Sequence, residues 1–258
     1  MRRIHLLPLL LALLGIILSS CNGKDVKVVR CQADMEGAKI GVVTGSVLDI
    51  IVTEKYDEKQ ILRYNLGPDL LMALETGKID VAVNGAPCWP MVEMTYPHFG
   101  YFEYEGAERS DVSIGVSKKN PELHRQLNAF IDSLMTIGET DKLLAKWSSR
   151  DGVQGNVKMT RSNGTGVPIR VVTPADFSPY MFICKGKVTG FEPEIVEMFA
   201  QSVNRPVVYS IVDFTGVIPH LSKGMSDIAC SILVQTEDRM KNLLFTKPYT
   251  SSYPICIY

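Results

Sequence analysis

Residues able to do chemistry are scattered along this chain and form no known catalytic or metal-binding motif. The sequence contains neither a G-x-S-x-G nor an H-E-x-x-H motif, the patterns of the nucleophile elbow and of the zinc proteases. Its six cysteines include no C-x-x-C pair, and none of its four histidines stands near a cysteine at ligand spacing. We therefore expect no metal site, no cofactor and no enzymatic activity.

One turn has residues suited to binding an anion. Thr44-Gly45-Ser46 follows the apolar run of residues 39–43, which predicts a strand, and precedes a predicted helix. Backbone N–H groups and the helix dipole favour a negative charge at such a start. The turn is therefore a candidate anion site, although the same residues would also serve as a plain connecting turn.

The elements that position this turn belong to an internal repeat. The stretch "LLMALETGKIDVAV" from Leu70 and the stretch "VIPHLSKGMSDIAC" from Val217 share a leucine, a glycine and an aspartate at one spacing. Each predicts a helix, a left-handed glycine cap and a short buried strand. Each is preceded by a predicted strand, at 39–43 and 169–173 respectively. The chain therefore predicts two α/β units.

A third segment separates the two units. Residues 111–117 predict a strand, Pro121 opens a helix that ends near Gly138, and a shorter helix covers 140–147. The following stretch, 148–166, is rich in Ser, Gly and Asn and predicts a linker.

The N-terminus has the features of an export signal. Met1-Arg2-Arg3 precedes an apolar run from Ile4 to Leu18, which is shorter than the roughly 20 residues of a bilayer span. The run ends in "LSSC", which resembles the lipobox of bacterial lipoproteins. We expect residues 1–20 to be a signal peptide, Cys21 to carry lipid, and 21–36 to tether the protein to the periplasmic face of a bacterial membrane. The alternative is an ordinary signal peptide with a chance cysteine.

Charge argues against a nucleic-acid partner. The formal net charge is −1, and 27 basic and 28 acidic residues are mixed along the chain. There is no basic stripe of the kind that neutralises phosphates.

Taken together, these stretches resemble the family 3 extracellular solute-binding proteins, periplasmic receptors that deliver polar amino acids to ABC importers. "ADMEGAKIGVVTGS" and "GKIDVAVNGAP" resemble the family's second lobe, here called lobe A (37–108). "IRVVTPADFSPYMF" and "LLFTKPYTSS", within 168–258, resemble the start of its first lobe, and 109–148 resembles that lobe's end; these two segments form lobe B. The resemblance implies an α/β fold of the type II periplasmic-binding-protein kind, with two lobes, each a mixed sheet flanked by helices.

The order of the pieces departs from the family. The lobe that normally comes second comes first here, and a linker at 149–167 joins what are normally the two ends of the chain. The sequence also stops at 254–258, where a usual member begins crossing to its second lobe. These features favour a circular permutation, or descent from a tandem receptor that has lost its outer pieces.

The resemblance also implies where a ligand would sit. Phe177 and Phe214 would form aromatic walls, and Arg239 in "TEDR" would bind a ligand carboxylate, with Thr44, Gly45 and Ser46 facing them from lobe A. An arginine suits this role because its planar fork binds both carboxylate oxygens. Without a ligand, Arg239 would be a solvated helix residue, and the two phenylalanines would be core residues.

Two departures concern the ligand's ammonium group. Many members have an acidic residue where this chain has Asn84-Gly85-Ala86, and a small and a hydroxyl residue where it has Ile232 and Val234. An unpaired ammonium in a closed cleft is costly. Either the ligand lacks an amino group, or Asn84 or Asp176 substitutes, or affinity has been lost. We favour a ligand that is not a standard α-amino acid.

The sequence thus predicts a lipid-anchored receptor that closes on a small carboxylate-bearing ligand, amino-acid-like or related, for an ABC permease. A regulatory module, like the sensor domains of lytic transglycosylases, and a degenerate copy are alternatives. An enzyme resembling cyclohexadienyl dehydratase is another, but it would require a cleft acid or base.

Overall fold

The computed structural model describes residues 27–258. The predicted signal peptide and Cys21 lie outside the described residues. Within the described part, no helix combines the length and the apolar character needed to cross a membrane.

Fourteen strands and nine α-helices, numbered in chain order, make up the described part. The strands are β1 Ile40–Val43, β2 Ile61–Tyr64, β3 Val81–Gly85, β4 Tyr101–Glu103, β5 Ser110–Ser117, β6 Ile169–Thr173, β7 Asp176–Phe177, β8 Met181–Cys184, β9 Lys187–Thr189, β10 Val207–Ile211, β11 Ile228–Val234, β12 Leu243–Phe245, β13 Thr250–Ser252 and β14 Pro254–Ile257. The helices are α1 Val47–Lys55, α2 Gly67–Glu75, α3 Trp89–Thr95, α4 Pro121–Thr136, α5 Glu139–Ser148, α6 Arg150–Val153, α7 Phe191–Ser202, α8 Phe214–Lys223 and α9 Glu237–Asn242.

The two lobes have sheets of the same strand order. Lobe A contains β2-β1-β3-β14-β4, and lobe B contains β10-β6-β11-β5-β12, with β13 also paired to β5. In each sheet the first three strands are parallel and the fourth is antiparallel. A small sheet, β7-β8-β9, lies beside lobe B. The predicted fold class, two α/β lobes with mixed sheets flanked by helices, is confirmed.

The last strand corrects the predicted extent of lobe B. Residues 254–258 were expected in lobe B with the rest of 168–258, but β14 pairs with β3 and β4 in lobe A. Its side chains at Ile255, Cys256 and Ile257 are all fully buried. An apolar strand with two buried faces can be satisfied only inside a sheet, and the exposed edge of β3 provides that place.

The repeated aspartate fixes the first strand of each lobe. In lobe A, Asp80 Oδ2 accepts the backbone N–H of Lys39 at 2.8 Å, directly before β1. In lobe B, Asp227 Oδ2 accepts the backbone N–H of Arg170 at 2.9 Å, at the start of β6. Gly77 and Gly224, the repeated glycines, have φ of 64° and 71°, as their predicted left-handed caps require. The repeat therefore encodes the same strand-to-strand clamp twice.

The predicted linker at 149–167 is ordered and held by buried carboxylates. After α5 and the short helix α6, the chain runs over α7, where Glu194 is 2% exposed. Glu194 accepts hydrogen bonds from Lys146 Nζ at 2.7 Å, from Trp147 Nε1 at 2.7 Å and from the backbone of Thr160 at 2.9 Å. Glu197 accepts the N–H of Ser162 at 2.8 Å. The composition of residues 149–167 could not show that they are ordered, because the carboxylates that anchor them are on α7.

We predict that Asp227→Asn lowers the free energy of unfolding by about 2 kcal/mol at pH 7, since it weakens hydrogen bonds to a charged acceptor. Burial alone would raise the pKa of Asp227, but hydrogen bonds from Arg170 and Asn120 outweigh it and hold the pKa below 3.8. A lowered folded-state pKa stabilises the fold above the unfolded pKa, and this stabilisation is lost as the pH falls through the folded pKa. Urea denaturation between pH 7 and pH 3 should therefore show the two proteins converging in acid.

The matched control is Asp238→Asn, because the Asp238 side chain is 86% exposed and its ion pair with Lys241 is long, at 3.5 Å. It should change stability by less than about 0.5 kcal/mol. An Asp227→Asn protein as stable as the wild type at pH 7 would contradict the clamp.

Candidate functional site

A cavity lies between the lobes, where the carboxyl ends of the parallel strands of both sheets face each other. Its empty volume is about 930 Å³, including space open to solvent. Lobe A contributes the ends of β1 and β3 and the start of α1, and lobe B contributes the loop after β6, the end of β11 and Arg239 of α9. Ligands of open α/β sheets bind at this edge.

Arg239 is the cationic group of this cavity, and it is only 7% exposed. Its helix begins at the cap residue Thr236, whose Oγ1 accepts the Arg239 N–H at 3.2 Å. The guanidinium donates to the carbonyls of Val234 at 3.0 Å and Gly45 at 3.5 Å, and lies 5.7 Å from the ring centre of Phe214. Burial lowers its pKa. Among the described residues, no carboxylate lies within 4.0 Å of it, so most of its donors are available to an anion.

A bulge in β11 brings two further residues to the cavity. The pairing of β11 with β5 shifts register between Ala229 and Leu233, and Ile232 has a φ of 47°. A positive φ is strained for a β-branched residue and needs support from its surroundings. The hydroxyl of Ser231, 4% exposed and lining the cavity, has no hydrogen-bond partner in the described chain. Sequence reasoning missed Ser231, although it stands next to Ile232 in the stretch before "TEDR".

The support for this bulge is a buried carboxyl group, also missed from sequence. Glu192 on α7 is 1% exposed, and its Oε1 accepts the backbone N–H of Ile232 at 3.0 Å and the hydroxyl of Tyr249. Burial raises the pKa of Glu192 to about 8. Glu192 therefore holds the strained backbone of the site from behind, from the core of lobe B.

Asp176 makes one of two side-chain hydrogen bonds between described residues that cross the cleft. Its Oδ2 accepts the N–H of Gly67, the first residue of α2, at 3.0 Å. Burial raises the pKa of this carboxyl, while the hydrogen bond from Gly67 acts in the opposite direction. The other crossing contact is the one from Arg239 to the carbonyl of Gly45. These two charged residues of lobe B thus hydrogen-bond lobe A across the cleft, and Phe177 also packs against the buried residues of lobe A.

The structure brings most of the predicted site residues together. Phe177, Phe214, Asp176, Asn84, Ser46 and Arg239 all line the cavity. Asn84 is 6% exposed, and its Oδ1 accepts the N–H of Gly85 at 2.8 Å, which leaves its amide as a donor. Thr44 does not line the cavity, because its hydroxyl donates to the carbonyl of Tyr64 at 3.1 Å. Gly45 takes part through its carbonyl alone.

The candidate anion site at Thr44-Gly45-Ser46 is not open in the structure. The N–H of Thr44 donates to the carbonyl of Tyr64, and the N–H of Ser46 donates to the carbonyl of Val43. The N–H of Gly45 donates to Asp49 Oδ2 at 2.9 Å, and Ser46 Oγ caps α1 by accepting the N–H of Asp49 at 3.1 Å. A carboxylate of the chain itself therefore occupies the start of this helix, and the turn serves the fold.

The described histidines and cysteines stay outside the cavity, whereas Tyr253 lines it. His98, His124 and His220 do not line it, and the described residues contain no cluster of three potential metal ligands. The five cysteines of the described part are all free thiols, and Cys230 is a fully buried core residue, as its apolar surroundings predict.

Comparison with known families supports the sequence resemblance over part of the chain. Residues 169–258 match the model of the bacterial extracellular solute-binding proteins, family 3. This segment contains Asp176, Phe177, Phe214, Ser231 and Arg239, which are among the residues that lobe B contributes to the cavity.

Individual relatives match over a similar share. A probable histidine-binding protein of Campylobacter jejuni is 32% identical over 88 residues, which are 34% of each chain. A probable histidine-binding protein of Neisseria gonorrhoeae is 28% identical over 99 residues, 38% of this chain and 37% of the relative. The chain thus spans about a third of the length of the curated relatives it matches. These relatives are named as binding proteins.

Solved structures give local matches. An ancestral arginine-binding protein bound to arginine is 33% identical, with 29% of this chain and 34% of that chain covered and a TM-score of 0.28. The arginine-bound form of domain 1 from TmArgBP is 26% identical, with 35% and 79% covered and a TM-score of 0.32.

We predict that Glu192→Gln removes a pH dependence of stability. Since the folded pKa of Glu192 is about 8 and its usual value is 4.5, the wild type loses stability as the pH rises between these values. The loss relative to the glutamine variant should total roughly 4 kcal/mol, measured by urea denaturation from pH 4 to pH 9.

Tyr249→Phe is the companion variant, because it keeps the carboxyl group but removes its hydroxyl donor. It should retain the loss of stability at high pH. Parallel profiles for the wild type and Glu192→Gln would show that Glu192 does not change charge in this range.

Proposed function

We propose that this protein is an extracytoplasmic solute-binding receptor whose two lobes close on a small carboxylate-bearing ligand, amino-acid-like or related. The observation that carries the proposal is the Arg239 guanidinium, buried in the cavity between the lobes with only carbonyl acceptors around it. A buried cation without an anionic partner is costly, and a ligand carboxylate would compensate it.

The remaining cavity residues support the same proposal. Phe177 and Phe214 would form walls on either side of the ligand's body. Ser231, whose buried hydroxyl has no partner in the described chain, and Asn84, through its amide, would hydrogen-bond ligand oxygens. Asp176, already bound to Gly67, would act in closure of the cleft.

Closure would proceed about the two connections between the lobes. One runs from β4 to β5 and the other from β13 to β14, and β13 pairs antiparallel with β5. The two connections thus lie side by side, which suits a hinge. A ligand that contacts both lobes binds the closed state better and shifts the population toward it.

The unusual order of the chain supports a circular permutation as the origin of this receptor, with descent from a truncated tandem receptor as the alternative. In this proposal, residues 37–108 form lobe A together with β14, residues 109–148 and 168–253 form lobe B, and 149–167 joins the ancestral ends. The segment that matches the family model follows the rest of the chain.

The N-terminal features support a lipoprotein on the periplasmic face of a bacterial membrane, anchored through Cys21 and serving an ABC permease. The basic start, the apolar run and the "LSSC" sequence carry this part of the proposal.

A second candidate function is a regulatory or degenerate binding module. It is favoured by Ile232 and Val234, which place aliphatic side chains beside Arg239 where a polar ligand would need acceptors.

The test of the receptor proposal is a thermal-shift panel of amino acids, organic acids and muropeptides on the wild type and on Arg239→Met. A ligand at 100 times its dissociation constant should stabilise the wild type by about 2.7 kcal/mol. Arg239→Met should remain folded by circular dichroism and lose this shift. Arg125→Met, which changes an exposed arginine of α4, should keep it. No shift across the panel would favour the degenerate module instead.

The lipid anchor predicts that Cys21→Ser releases the protein from the membrane. Expressed with its own N-terminus in a bacterial host, the wild type should sediment with membranes and incorporate labelled palmitate, because acyl chains on a cysteine hold it in the bilayer. The variant should lose the label. Equal labelling of both proteins would rule out Cys21 as the lipidation site.

A further inference from the structure

We propose that the cavity selects apolar monocarboxylates without an α-ammonium group, such as aryl-substituted or branched aliphatic acids. This inference rests on the proposed receptor function and names its ligand class. It follows from which donors and acceptors of the cavity are free, from the charges that line it, and from the apolar side chains of its wall.

The cavity has a built site for one carboxylate. Arg239 offers most of its five N–H donors, and the Ser231 hydroxyl, 4% exposed and without a partner in the described chain, also lines the space. Asn84 adds an amide donor, because its oxygen is used by Gly85. These groups all suit an anion, and together they would surround a single carboxylate with donors.

A zwitterion would bring three ammonium donors that need acceptors. The carboxylate lining the described cavity is Asp176, and one of its oxygens already accepts the N–H of Gly67. Ser46 Oγ accepts the N–H of Asp49, which uses one of its two acceptor lone pairs for the helix cap. Apart from Asp176, the side-chain acceptors that line the described cavity are neutral: the amide oxygen of Asn84 and the hydroxyls of serines and Tyr253. An ammonium would therefore find a single anionic partner there, and that carboxylate is already engaged with lobe A.

Most of the remaining wall is apolar on both lobes, and its other polar side-chain groups are the hydroxyls of Ser110, Ser252 and Tyr253. Val43, Val83 and Pro87 line it from lobe A, and Met181, Ile232 and Val234 line it from lobe B. An ammonium desolvated against these side chains would gain no compensating hydrogen bond, whereas a hydrocarbon chain or ring would gain by burial.

The inference is tested by calorimetric titration of the full mature protein with matched pairs of ligands. The pairs are 3-phenylpropanoate with L-phenylalanine and 4-methylpentanoate with L-leucine, which differ only by the α-ammonium group. We expect each deaminated acid to bind at least about tenfold more tightly than its amino acid. The amide 3-phenylpropanamide, which lacks the charge that Arg239 would bind, should lose at least about tenfold relative to the acid.

Asn84→Asp is the sharpest variant, because it is isosteric and places an anionic acceptor in the cavity. It should weaken binding of 3-phenylpropanoate by charge repulsion and strengthen binding of L-phenylalanine, so that the preference narrows or reverses. Asn128→Asp, the same change on α4 outside the cavity, should leave both affinities as in the wild type.

The outcomes separate this inference from the proposed function. If amino acids bind the wild type as tightly as their deaminated partners or more tightly, and Arg239→Met abolishes that binding, the ligand class is wrong and the receptor stands. If no member of the wider panel binds the wild type, the receptor proposal fails and the ligand class falls with it.

Discussion

The return of β14 from the end of lobe B into the sheet of lobe A is the constraint on which the rest of this structure depends. β5, which follows lobe A in the chain, completes the sheet of lobe B, and β14, which follows lobe B, completes the sheet of lobe A. Both enter antiparallel to the strand beside them, so the chain crosses the cleft twice in neighbouring segments. Lobe A therefore builds its core from two separate stretches of the chain, because the buried side chains of β14 join those of residues 29–104, whereas the buried core of lobe B lies within residues 112–249. The two crossings of the chain also fix the place of the cavity, because it lies where the ends of the parallel strands of both sheets face each other.

The chemistry of the cavity follows from where the chain uses its charges. Two buried carboxyl groups, those of Glu192 and Glu194, serve the framework of lobe B, one behind the bulge and one under the connector. Asp49 occupies the start of α1, and Asp176 reaches the start of α2. Arg239 is thereby left without a carboxylate partner in the described chain, in surroundings whose low polarity strengthens any ion pair it forms. The fold thus provides one cationic group, desolvated in advance, facing mostly aliphatic walls.

Much of the fold was readable from the sequence, because its strongest signals are local. The helix periodicity, the glycine caps at Gly77 and Gly224, and the short buried strands of the repeat all depend on nearby residues. The errors arose where a distant partner decides the outcome. The turn at Thr44-Gly45-Ser46 is different, because the group that closes it to an anion is local: the carboxylate of Asp49 folds back onto the N–H of Gly45. Glu192 and Ser231 gave no local signal, because their roles depend on a bulge in β11 that only its pairing with β5 creates. The cavity location of Arg239 was predicted through the family resemblance and not through the residues alone.

The connector between α6 and β6 has a mechanical consequence. Glu194 accepts hydrogen bonds from Lys146 and Trp147 of α5 and from the backbone of the connector. Separating the connector from α7 would therefore leave a buried carboxylate and an indole N–H with fewer hydrogen bonds. Glu197 adds a second fastening through Ser162. The connector and α5 should thus open together as one cooperative unit. We therefore expect the Gly- and Ser-containing connector to resist proteolysis as a folded surface does.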